Sequence, residues 1–123
     1  MLKLLLDEHI AASGATGLRR RARTLKVYGM AEWEDGAFLG QDDSTCLCAA
    51  ARQGLTLVTY DRRTIPPLLK IWAEAGRNRG GVIFIDEKTI SPTEVGGLVR
   101  ALADLAKEAD DQDWTNRVVF LRR

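Results

Sequence analysis

Histidine and cysteine are scarce in this chain, and the scarcity closes several routes to function at once. Of 123 residues, one is histidine (His9) and two are cysteine (Cys46 and Cys48). Two cysteines without a second pair give no zinc-site spacing. They lie two apart in a stretch that reads as helical, so their side chains leave the axis in different directions and a mutual disulfide is not expected. A reduced, cytoplasmic setting is the expectation. Excess charge is missing too: 18 basic and 17 acidic side chains leave a formal net charge of +1. Nucleic acid or a membrane surface would therefore have to be met through a local patch. No run approaches the roughly 20 apolar residues of a membrane span. The opening Met1-Leu2-Lys3-Leu4-Leu5-Leu6 is cut by Asp7-Glu8, far short of a signal-peptide core. Repeats, linkers and low-complexity tracts are absent. One soluble domain over residues 1–123, long enough for a core, is what remains.

Apolar strands that run into acids are what the chain does contain. Lys3 to Leu6 reads as a strand delivering Asp7-Glu8, and Leu57-Val58-Thr59-Tyr60 as one delivering Asp61. Val82-Ile83-Phe84-Ile85 ends on Asp86 in the same way, and Leu25 to Tyr28 and Arg117 to Leu121 are two further strand candidates. Helical spacing occupies the intervals. His9 to Arg23 is expected to be weakened or broken at Gly14 and Gly17. Thr45 to Gln53 opens after Asp42-Asp43-Ser44 and stops at Gly54. Ile65 to Ala75 carries prolines in its first turn, where a missing N–H is harmless. The longest helix, to Ala109, is opened by Ser91-Pro92-Thr93-Glu94 at capping-box spacing. Strands alternating with helices predict an α/β fold with a mostly parallel sheet, and near-continuous apolar strands predict burial on both faces.

In an open parallel sheet, ligands gather outside the carboxyl ends of the strands. Asp7 and Asp61 lie at such ends, and the long loop 31–42 leaves Asp43, or its neighbour Asp42, free to reach the same edge. Clustered carboxylates repel unless a cation joins them or their pKa values rise. Without a lysine nearby, the economical partner is a hard divalent ion, Mg2+ or Mn2+. A metal pair about 4 Å apart activates water and stabilises a leaving oxygen in phosphodiester hydrolysis. The competing reading is structural, since aspartate is among the best N-cap residues and all three precede helices.

The order Leu4-Leu5-Leu6-Asp7-Glu8, then Asp43 opening an alanine-rich helix through Ala50, then Gly54-Leu55-Thr56-Leu57-Val58-Thr59-Tyr60-Asp61, resembles the PIN-like superfamily. Its small bacterial branch, often filed as a domain of unknown function, is the nearest in pattern, and the resemblance runs over residues 2–105. It implies a three-layer α/β/α fold and a Mg2+- or Mn2+-dependent ribonuclease, the toxin of a toxin–antitoxin pair. Asp7, Asp43 and Asp61 would be the catalytic metal ligands, with Asp42 and Glu8 in reserve. RNA, an antitoxin protein and a second copy of the chain, in a homodimer, are the implied partners. Two positions depart from the pattern. The helix after His9 carries no acid, leaving Glu8, Glu32, Glu34 or Asp35 as substitutes. Arg62-Arg63-Thr64 stands where a further acid commonly follows. Either a reduced site works with one metal, or the fold persists as a catalytically silent interaction module.

Other residues carry two readings each. Arg62 and Arg63 are placed to clamp a phosphate. Arg19-Arg20-Arg21 with Arg23 is either a phosphate-contacting surface or a solvated helix face. His9 is a ligand, a general base or a bystander. Trp33 either stacks a base or anchors its loop. A receiver-like acidic pocket would require a lysine just past a late strand, a place that Lys88 matches only loosely.

Overall fold

The computed structural model describes residues 2–109 and 111–123. Five strands form one all-parallel sheet among these residues: β1 (Lys3–Leu6), β2 (Lys26–Gly29), β3 (Thr56–Thr59), β4 (Val82–Phe84) and β5 (Val118–Phe120), in the order β2-β1-β3-β4-β5. Among the described residues four α-helices join them, α1 (Ala12–Arg21), α2 (Asp43–Gln53), α3 (Ile65–Glu74) and α4 (Val95–Ala109), with a short 3-10 turn at Trp33–Gly36. Among the described residues no helix is long and apolar enough to cross a membrane.

Side-chain alternation along the strands splits the core in two. Leu4, Leu6, Val58 and Ile83 pack under α1 and α4, whereas Leu5, Leu57, Val82 and Phe84 pack under α2 and α3. Burial on both faces explains why these strands read as unbroken apolar runs. The α1, α2 and α3 connections share one hand. The β4–β5 connection steps the same way as β3–β4 but carries its helix on the α1 face, so it has the opposite hand. Such connections are nearly always right-handed, which makes the seating of α4 against α1 a distinctive feature of the chain.

Close packing explains why α1 is unbroken across Gly14 and Gly17, against expectation, and at Gly17 the packing partner is α4. A Cβ added at Gly17 would lie 3.2 Å from Val99 of α4, and one at Gly14 would lie 3.3 Å from Ile10. Packing gained by the close approach of the helices outweighs the low helix propensity of glycine. The helix is shorter than expected because a turn, Ile10 N–H to Asp7 C=O at 3.0 Å, occupies the residues before it. Similarly, α4 begins at Val95 rather than at Ser91. Residues 91–94 form a turn, with Glu94 N–H on Ser91 C=O at 2.8 Å, and Glu94 Oε1 accepts the Ser91 amide at 3.3 Å as half of a capping box.

Candidate functional site

The chain leaves β1 toward β2 on one side and returns to β3 on the other, so the winding reverses between β1 and β3. In a doubly wound sheet this crevice, at the carboxyl ends, is where ligands bind. Asp7 follows β1 directly and Asp61 follows β3 by two residues, so both acids flank it. The Asp7 amide donates to Val58 C=O at 3.0 Å, carrying the β1–β3 ladder one residue past Leu6.

Two threonine hydroxyls tie the acids together. The Thr59 hydroxyl donates to Asp7 Oδ2 at 2.6 Å and accepts the Asp61 amide at 2.9 Å. This local turn is why β3 stops at Thr59 instead of running to Asp61. Beyond it, Asp61 Oδ1 accepts the amides of Arg63 and Thr64, both at 2.9 Å. The Thr64 hydroxyl meets Asp61 Oδ2 and also Asp43 Oδ2, the latter at 2.8 Å. Thr59 and Thr64 are the residues that sequence reasoning missed as functional parts. Only their positions, two before and three after Asp61, hinted at them.

Capping and site roles turn out to be divided between neighbours. Asp42 is the N-cap of α2, accepting the Thr45 amide at 2.7 Å. Hydrogen bonding from Thr45 holds its carboxyl below the usual aspartate range. Asp43, one residue on, is thereby free of capping and turns to Thr64. Asp7 does not cap α1, whose N-cap is Ala11. The loop that delivers Asp43 is clamped by Gln53, whose amide oxygen accepts the Trp33 indole N–H at 3.1 Å and whose amide nitrogen donates to Glu34 at 2.9 Å. Trp33 is 2% exposed and stacks on Phe38 with centroids 4.6 Å apart. Of its two readings, anchoring the loop is the one realised.

Burial acts to raise the pKa of Asp61. The hydrogen bonds from Thr64 and Arg63, with the charge of His9, outweigh it and hold the carboxyl below its ordinary value. The acids also act on Cys46, whose thiol is pushed up to about 11 by burial and then by Asp43, Asp7, Glu8 and Asp42. Cys46 and Cys48 are both free.

A metal can be tested against this donor set. Among the described residues no three His, Cys, Asp or Glu side chains converge closely enough to hold an ion by themselves. Mg2+, however, is usually held by one or two carboxylates and several waters. The Thr64 hydroxyl has a single proton to offer two carboxylate oxygens, so one of the Asp43–Asp61 pair is always left facing a lone pair. Negative charge in excess of donors, on hard oxygens, fits a hydrated divalent cation held by Asp43 and Asp61. Asp7 shares a small cleft with Asp43 and Glu8. No family model matches the chain, and no curated protein or solved structure matches it either.

The remaining candidates divide. Arg62 is paired with Asp86, which follows β4, at 3.3 Å, and lies 5.6 Å from the Phe120 ring centroid. Arg63 is exposed, and its side chain has no hydrogen-bond or ion-pair partner among the described residues. Of the substitute acids, Glu32 is engaged by Arg19 and Glu34 by Gln53, whereas Glu8 lines the cleft that Asp7 and Asp43 share. Lys88 is exposed and enters no ion pair with these acids among the described residues.

Proposed function

We propose that this chain is a PIN-like, Mg2+- or Mn2+-dependent ribonuclease that hydrolyses RNA phosphodiester bonds, the toxin of a toxin–antitoxin pair. The observation that carries the reading is the shared Thr64 hydroxyl, which gathers Asp43 and Asp61 beside Asp7 at the switch point of the sheet. Helices on both faces of the sheet are in keeping with the three-layer form that the resemblance implies.

Asp43 and Asp61 would hold the cation, with Asp7 or Glu8 orienting its waters. Such a cation, when bound, offsets charge on the phosphate and eases deprotonation of the attacking water. Thr59 fixes the Asp7 carboxylate, and the Arg63 and Thr64 amides fix that of Asp61, so neither must be ordered during the reaction. Arg63 supplies an unpaired guanidinium for the phosphate, whereas Arg62 would first have to leave Asp86.

A protein-interaction role without catalysis is favoured by a different observation. Edge strand β5 exposes Val118 (41%) and Phe120 (56%) beside the occupied Arg62. The two readings separate in one assay of RNA cleavage with Mn2+, Mg2+ or chelator. Cleavage that requires the metal and is lost in Asp61→Asn supports the nuclease. Equal cleavage by wild type and Asp61→Asn, or none by either, rejects it.

A further inference from the structure

The two edges of the sheet are finished differently. On β2 the inward side is marked by the Met30 amide, which donates to Leu6 C=O at 3.0 Å, so the alternate residues Val27 and Gly29 turn their main-chain groups outward. Side chains occupy that outer row. Arg19 Nε and Nη2 donate to Val27 C=O at 3.2 and 2.9 Å, and Glu32 Oε1 accepts the Gly29 amide at 2.8 Å. This edge is blunted against further pairing.

The β5 edge is left open. Arg117 C=O accepts the Val82 amide at 2.9 Å and the Leu121 amide donates to Phe84 C=O at 2.8 Å, so residues 117, 119 and 121 face β4. Val118 and Phe120 therefore turn their N–H and C=O groups outward, where they have no hydrogen-bond partner among the described residues. The side chains of the same two residues are 41% and 56% exposed, on the α2–α3 face where Phe120 stacks on Phe84. No charge or proline within β5 guards the edge.

The complement of this edge is β5 itself, run antiparallel. A two-fold axis through Val119 sets Val118 opposite Phe120 twice. Both residues turn their main chain outward, so each is a hydrogen-bonded pair and the axis closes four N–H to C=O bonds. The same register lays exposed valine on exposed phenylalanine, an aromatic–β-branched pair of the kind that stabilises sheets. A shift of two residues loses the match. In one direction Val118 meets Arg122; in the other Phe120 meets Asn116, whose φ of 60° takes it out of the extended conformation. Charge agrees with the axis. Helix α4 leads from the carboxyl end of β4 to the amino end of β5, so Glu108 in its last turn stands toward that amino end. Glu108 and Arg122 line one groove along the β5 edge, both are exposed, and neither enters an ion pair among the described residues. The axis carries Arg122 of each copy to the Glu108 end of the other.

We propose that β5 is the seam of a homodimer, in which two copies of this chain join their sheets antiparallel about Val119. The inference goes beyond the nuclease reading and stands without it, because the carboxylates are gathered by β1 and β3 and not by the β5 edge.

Analytical ultracentrifugation of the full chain over a concentration series tests it. Wild type is expected to move from monomer to dimer as concentration rises. Val118→Lys and Phe120→Lys, checked for folding by circular dichroism, should each weaken association at least about tenfold, since the axis counts each change twice. The register has its own readout. Val119 faces its own copy as a non-hydrogen-bonded pair with Cα atoms about 4.5 Å apart, within disulfide reach. With Cys46 and Cys48 replaced by alanine, Val119→Cys should form a linked dimer in oxidised glutathione, and Arg122→Cys, opposite Asn116, should not. Wild type that stays monomeric overturns the proposal and leaves the edge to a strand of another protein. Association undiminished in both lysine variants, or linkage of Val119→Cys no greater than that of Arg122→Cys, overturns it as well.

Discussion

Replacing Thr64 by valine removes one hydroxyl at nearly constant shape and leaves two carboxylates facing each other. Thr64 is the N-cap residue of α3 but makes no side-chain capping bond, so the change takes nothing from the helix itself. What goes is the proton shared by Asp43 and Asp61. A hydrogen bond to a charged group contributes about 1.5–3 kcal/mol net when buried. Thr64 is exposed, so solvent screening reduces that to about 1 kcal/mol. For a domain of this size the loss lowers Tm by about 4 °C in chelator. The pH dependence has a definite sign. Asp61 has a depressed pKa in the folded state, so its contribution is present above its unfolded pKa and is lost as pH falls through the folded value. The gap between Thr64→Val and wild type is therefore full near neutrality and closes below about pH 4. Magnesium acts the other way. Ligand at about 100 times Kd stabilises by about 2.7 kcal/mol, and the variant, with its carboxylates short of a donor, gains at least as much as wild type. Thermal unfolding at pH 7 and pH 3, with chelator and with Mg2+, measures all three effects. An unchanged Tm in chelator, or a magnesium-linked rise smaller than that of wild type, would mean that Thr64 does not hold the two carboxylates together.

Four other perturbations test separate parts of the structure. Gly80→Ala places a Cβ 2.1 Å from the Leu55 carbonyl oxygen and should cost about 3 kcal/mol or more in chemical denaturation. Gly96→Ala meets nothing within 4 Å and should stabilise α4 by about 0.5–1 kcal/mol. Trp33→Ala removes the buried stack on Phe38 and the Gln53 bond, at about 3–5 kcal/mol, with faster amide exchange over residues 31–42. Alkylation at pH 8, followed by mass spectrometry, should modify half-buried Cys48 well before Cys46, whose thiol is held at about 11.

The parallel sheet was legible because its strands are apolar on both faces, and Asp42-Asp43-Ser44 marked the start of α2 to within two residues. Asp7 and Asp61 stood out as acids at strand ends. Thr59 and Thr64 did not, because a hydroxyl acquires its role only when β1 pairs with β3, at Leu6 opposite Val58, and carries Asp7 to Thr59 across 52 residues of chain. The continuity of α1 was hidden for a similar reason. Gly17 reads as a helix breaker until α4, some 80 residues later, supplies the Val99 side chain that needs the room. Which of two adjacent acids caps and which one turns to the site also depended on a distant partner. The hydroxyl that meets Asp43 belongs to the turn after β3.

Whether Asp43 and Asp61 hold a divalent cation beside Asp7 can be read from the paramagnetic broadening of amide signals during Mn2+ titration. Broadening is expected to centre on residues 7, 43 and 61–64 and to be abolished in both Asp43→Asn and Asp61→Asn. Broadening centred elsewhere, or undiminished in both variants, would contradict that placement of the cation.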